Sequence, residues 1–227
     1  MIIKSFELNK IDIKKYNFYL FYGVNEGLKD EIIKNIFEKS YLDNIYRYEE
    51  KEILENKNSF FNNILSKSFF ENEKLIIINR SSDKIKDIIE EIFDKKINDI
   101  QFILNSKNLE TKSYLRKFFE KEKDAICVPF YEDTSQTLNS IISLFFRNKK
   151  IPISQQVINI LIERCRGDRK NLRNELNKIE VYSLNKKSIN LDEIIKLTNL
   201  ADNYSASELI DYCLAKNTRK TVSILNE

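Results

Sequence analysis

The sequence predicts a parallel α/β sheet domain over residues 1–135 followed by a bundle of helices. Three observations carry that reading. Short β-rich runs alternate with longer segments of helical period through the first 135 residues. Two of those runs, Lys74–Asn79 and Asp99–Asn105, are apolar with little alternation, as strands buried on both faces are. After about residue 134 no strong strand pattern remains. Strands separated by helical segments are joined by crossovers, and crossovers join parallel neighbours.

Each element follows in order. Asn17–Tyr22 is the first strand, and Gly27–Ser40 is a helix with Leu28, Ile32, Ile33 and Ile36 on one face. Asn44–Tyr48 is a weaker strand. Glu50–Lys67 reads as one helix carrying Ile53, Phe60, Phe61, Ile64 and Leu65. After Lys74–Asn79 comes a helix over Asp83–Asp94, built on Ile85, Ile88, Ile89 and Ile92. Asp99–Asn105 is followed by a helix over Thr111–Lys121 and a fifth strand, Ala125–Pro129. A change of class falls near Asp133–Ser135. Thr137–Asn148 is helical, and Ser154 caps a helix running to about Arg164. Gly167 stops that helix and Asp168 caps the next, which turns Leu172, Leu176, Ile179 and Val181 to one side. Leu191–Leu200 forms a further helix, and another begins at Ser205–Leu214.

Composition excludes several classes. Hydrophobic residues make up 42% of the 227, enough for two packed units, while 3 Gly and 2 Pro are too few for a turn-rich sandwich or barrel. Histidine is absent, which removes the commonest general base and metal ligand. Cys127, Cys165 and Cys213 are far apart, so no zinc set is expected, and a reducing, cytoplasmic compartment fits them. No apolar run approaches a membrane span, and Met1–Lys10 does not read as a signal peptide. Net charge is +3, split as −2 over residues 1–135 and +5 over 136–205. That tilt is compatible with nucleic acid nearby but equally with a solvated face.

Three motifs bear on chemistry. The first strand runs into Gly23-Val24-Asn25-Glu26-Gly27-Leu28-Lys29-Asp30. This is where a phosphate-binding loop of the form GxxxxGK[ST] would stand. Here the two glycines are one residue too close, Leu28 holds the Lys position, Asp30 follows Lys29, and Glu26 adds negative charge. The strand at Leu75–Ile78 leads to Asn79-Arg80-Ser81-Ser82, without the acidic pair that holds magnesium in ATPases. Gly23, Gly27 and Lys29 are therefore expected to form a degenerate phosphate loop, a turn that caps the first helix and holds no ATP. The second motif is Ser66-Lys67-Ser68-Phe69-Phe70-Glu71. Adjacent Phe residues on a helix point about 100° apart, so one internal face does not readily take both. Either one is core and one half-covered, or an exposed apolar anchor is present. The third is Gly167-Asp168-Arg169 through Glu175-Leu176, a capped helix with basic residues outward, at the place where ATPases with a helical lid carry a nucleotide-contacting Arg. Arg166 lies in the helical unit and not on the sheet, a poor place for an arginine finger.

In this order the motifs resemble the delta subunit of the bacterial DNA polymerase III clamp loader. Tyr19–Glu26 resembles its opening strand and decayed loop. Ser68-Phe69-Phe70 resembles the end of its clamp-binding helix, commonly Ser-Leu-Phe, although Lys67 stands where the family sometimes has an apolar residue. Gly167–Ile179 resembles its lid helix, and Asn203–Leu214 the entry to a third domain. The resemblance implies an AAA+-like domain over 1–135, a helical lid over 136–204 and the beginning of a helical collar over 205–227. It implies a protein without cofactor or catalytic residues, a subunit of the polymerase holoenzyme. Such a protein binds and opens the sliding clamp, with Ser68, Phe69 and Phe70 as clamp-binding residues. Sister loader subunits and primed DNA in the assembled complex are its other implied partners. The chain stops at Glu227, just inside the expected collar, so assembly is expected to be weakened and clamp binding retained. The alternatives are an active AAA+ nucleotide-binding protein and a stand-alone DNA-binding module.

Overall fold

The computed structural model describes residues 1–41, 44–65, 73–97, 99–184, 189, 191–198 and 206–225. The chain divides into two compact units, Met1–Glu132 and Asp133–Glu227.

The first unit is built on five strands: β1 (Phe18–Gly23), β2 (Ile45–Glu49), β3 (Lys74–Asn79), β4 (Ile100–Asn105) and β5 (Ala125–Phe130). All pair in parallel, in the order β2-β3-β4-β1-β5. β1 lies between β4 and β5, with Leu20 opposite Leu104 on one side and Cys127 on the other. Every residue of β1 and β5 is buried, because helices cover both faces. Side chains alternate between those faces. Phe18, Leu20 and Tyr22 join Ile76, Ile78, Phe102 and Leu104 on one side. There they pack with α3 (Lys57–Leu65), α4 (Lys86–Asp94) and α5 (Tyr114–Lys121). Tyr19 and Phe21 face the other way, into a cluster with Ile32, Ile33 and Phe37 that follows α1 (Glu26–Ile32).

Several elements differ from the sequence reading. The helix expected over Gly27–Ser40 is α-helical only to Ile32; Ile33–Phe37 widens to a π turn and Glu38–Ser40 tightens to 3-10. The helix expected over Glu50–Lys67 is two helices, α2 (Glu50–Glu55) and α3. Asn56 separates them: its backbone leaves the helical region, and its side chain accepts the Ser59 amide to start α3. Apolar periodicity runs across this break and hides it. Met1–Ile3, not read as structure, lies beside β5, with bonds between Met1 and Cys127 and between Ile3 and Cys127.

The second unit is helical. α6 (Ser135–Asn148), α7 (Gln155–Cys165), α8 (Arg169–Ser183) and α9 (Leu191–Leu197) enclose Leu138, Ile142, Phe146, Leu161, Leu172 and Ile179. The predicted caps form: Ser154 accepts the Val157 amide, and Asp168 accepts those of Lys170 and Asn171. Val181, expected on the buried side of α8, is 68% exposed. The inward row is Leu172, Leu176, Ile179 and Ser183, and Val181 is two residues, or about 200°, from its neighbours in that row. α10 (Ala206–Leu214) packs on α11 (Thr218–Leu225), leaving Ile210, Leu214, Val222 and Leu225 exposed. Among the described residues no helix is long and apolar enough to cross a membrane.

Scarce glycine leaves a mark on the helix ends. Lys150 and Lys216 sit at positive φ (57° and 53°) where glycine is usual. Both close a full C-terminal motif. After α6, Ile151 N–H reaches Phe146 O and Lys150 N–H reaches Arg147 O; after α10, Asn217 reaches Tyr212 and Lys216 reaches Cys213. A side chain in this left-handed region costs roughly 1 kcal/mol or more. Lys150→Gly and Lys216→Gly are each expected to stabilise the protein by about 0.5–1 kcal/mol, read as a raised denaturant midpoint at constant slope.

Burial also sets an alkaline limit. Loss of solvent pushes the Cys127 thiol from 9.0 to about 12, and the Tyr22 and Tyr41 hydroxyls from 10.0 to about 12. For each, the unfolded chain ionises first, so the stability these groups contribute is present below pH 9 and is lost between about 9 and 12. Burial also raises Tyr19, Tyr48 and Cys165, in the same sense, while buried Lys29, whose pKa is lowered by desolvation, acts in the opposite sense. The unfolding midpoint is therefore expected to fall as pH rises from 9 to 12 in a thermal or denaturant titration.

Candidate functional site

Ligands of open parallel sheets bind beyond the carboxyl ends of the strands. In the first unit that edge gathers the turn after β1, the ends of β3 and β4, and the end of β5. Gly23 ends β1 at φ +124°. A Cβ there would lie 2.2 Å from the carbonyl oxygen of Phe130, so only glycine lets β1 run this close to β5. The Gly23 amide donates to Lys107 O at 3.1 Å.

The turn that follows satisfies its own groups. Asn25 Oδ1 accepts the Leu28 amide at 3.0 Å as the N-cap of α1, and Asn25 Nδ2 donates to Tyr131 O at 3.0 Å. Gly27 is buried in the first turn of α1. Lys29 does not reach outward. Its side chain is 0% exposed, and its ammonium donates to Glu26 Oε1 and to Ser106 O, each at 2.7 Å. Burial lowers its pKa, while Glu26 acts to hold the charge. The sequence carried a signal for this: Lys29 lies three and four residues before Ile32 and Ile33, on the face that α1 buries, and three after a carboxylate.

At the end of β3, Ser81 Oγ donates to Ile78 O, and the Ser81 amide to Asn105 O. Asn79 and Asn105 face each other at a marginal 3.5 Å. Asn105 Oδ1 and Ser106 Oγ are buried without a hydrogen-bond partner. The nearest carboxylate in sequence after β3, Asp83, accepts from the Ser113 hydroxyl and the Leu115 amide at the start of α5. A pocket of about 390 Å³ opens beside Gly23, lined by Tyr22, Val24, Asn108, Phe130, Tyr131 and Glu132 among others; among the described residues its one charged side chain is acidic. A magnesium nucleoside triphosphate does not fit this set. The lysine is turned inward, the first turn carries Glu26, the helix start is capped by Asn25, and no cation lines the pocket among the described residues. Among the described residues no group of three or more acidic, Cys or His side chains could hold a metal.

Within the second unit, Arg169 at the start of α8 grips Asp133 through Nε and Nη2, both at 2.7 Å, with side chains 12% and 5% exposed. Arg166 is the left-handed residue that ends α7. Ser68, Phe69 and Phe70, singled out in the sequence, lie outside the described residues.

No family model matches the chain, and no curated protein matches it. Solved structures do. The fold class is AAA+-like: the Thermotoga maritima RuvB Holliday junction branch migration motor aligns with TM-score 0.55 at 12% identity, covering 86% of this chain and 68% of RuvB. A variant of the same RuvB aligns at 0.59 and 14%, covering 92% and 73%. The chain also shares its fold with the Bacillus subtilis DNA clamp loader delta protein, with TM-score 0.53 and 15% identity over 97% of this chain and 68% of that protein.

Proposed function

We propose that this chain is a clamp loader subunit of the delta type, which binds and opens a replication sliding clamp and hydrolyses no ATP itself. The observation that carries this reading is the pairing of an AAA+-like fold, shared with a DNA clamp loader delta protein over 97% of the chain, with a carboxyl edge closed by Lys29. A protein that keeps the architecture and fills the ligand position works through its surfaces. The binding surface in this reading is Ser68-Phe69-Phe70, between α3 and β3. Residues 136–204 serve as the lid, and 205–227 begin a collar that joins sister subunits around primed DNA. The exposed row Ile210, Leu214, Val222 and Leu225 on α10 and α11 supports a collar role, since apolar faces of this kind are buried in assemblies. Titration of the cognate sliding clamp with this chain, without nucleotide, tests the reading. Saturable binding is expected, and a clamp that does not bind removes it.

A further inference from the structure

The turn after β1 and the turn after β4 meet at a group of hydrogen-bond acceptors. Ser106 O and Glu26 Oε1 each lie 2.7 Å from the Lys29 ammonium. Asn105 Oδ1 and Ser106 Oγ, in the residue Lys29 already bonds and the one before it, are buried without a hydrogen-bond partner. An ammonium has three protons and two of them are accounted for. Two backbone bonds hold the same turns together, from Ser106 N to Phe21 O and from Gly23 N to Lys107 O. Acceptors gathered away from water need a cation or a donor, and an orphaned carbonyl here is costly. The contacts have the length of charge-assisted N–H···O bonds, well beyond the 2.0–2.1 Å of magnesium–oxygen bonds.

We propose that the Lys29 side chain is a built-in cation that takes the place of a bound ligand at this edge, and that removing it opens a site selective for a small primary ammonium ion. The inference rests on the reading that the edge works without nucleotide. Its test reads stability and not clamp binding, so the two fail separately. In wild type the β1–α1 and β4–α5 turns are tied together at all times, with no ligand to gain or lose.

Lys29→Ala excises a fragment whose chemistry is that of n-propylammonium. The variant is expected to melt at least about 4 °C below wild type, by the scaling of stability to melting temperature for a chain of this size. n-Propylammonium chloride, compared with sodium chloride at equal ionic strength, is expected to restore at least half of that loss by binding the folded form. It should leave wild type unmoved, and neutral 1-propanol should restore nothing. Equal melting of Lys29→Ala in the two salts overturns the proposal, as does equal rescue by 1-propanol. Should Lys29→Ala not fold, Lys29→Met keeps most of the volume and drops the charge. A loss of about 4 °C or more in that variant supports the built-in cation, and a melting temperature equal to wild type overturns it.

Discussion

Replacing Phe69 and Phe70 together by alanine is expected to weaken binding to a sliding clamp by at least about 2 kcal/mol, close to thirtyfold, while the chain stays folded. The magnitude follows from the chemistry. A Phe side chain moved from water into a partner's apolar pocket contributes roughly 1.5–3 kcal/mol, and two neighbours share one pocket less than additively. The fold gives a reason for the chain to survive the change. α3 already contributes Phe60, Phe61 and Ile64 to the core beneath β3 and β4, and that core is continuous among the described residues. A titration by calorimetry or fluorescence reads the affinity, and the melting temperature reads the fold. A folded double variant with unchanged affinity would move the binding surface elsewhere.

The second large effect lies at Gly23. Gly23→Ala is expected to destabilise the protein by about 2–5 kcal/mol, combining roughly 1–2 for the disfavoured backbone with 1–3 for the forced displacement. The displaced atom would be the Phe130 carbonyl oxygen, 2.2 Å from the new Cβ. That atom is backbone in β5, and the same carbonyl accepts the Asn25 amide at 3.4 Å, so it cannot step aside without opening the turn that caps α1. Gly167→Ala is a useful contrast. Its φ of +77° carries the conformational cost, but nothing lies within 4 Å of the added carbon, so a smaller loss is expected there. Denaturant melts of the two variants separate steric from conformational cost.

The strands were legible because burial on both faces leaves a continuous apolar run, as in Lys74–Asn79, where the sequence range and the strand coincide. The helix joints were not. Asn56 interrupts a pattern that continues on either side of it, and only its cap with Ser59 shows the break. Residues 4–16 form short 3-10 turns that bury Leu8 and have no period long enough to read. At the candidate site the glycine spacing and the misplaced lysine were visible, but not the bond that Lys29 makes across to the β4 turn. That depends on Ser106 O, a backbone atom 77 residues from Lys29, which no local pattern encodes. Arg169 was legible as the first residue of a capped helix; its grip on Asp133 was not, because the partner precedes α6. Phe69 and Phe70 stand out only as an adjacent apolar pair, and their assignment to a clamp came from the resemblance of motif order.

A delta-type subunit whose carboxyl edge is filled by its own lysine is expected to bind a clamp without nucleotide. The most direct test is one titration of the cognate clamp, run with and without magnesium ATP. Saturable binding with the same affinity in both arms is expected. Binding that appears only with ATP, or no binding in either arm, would contradict it.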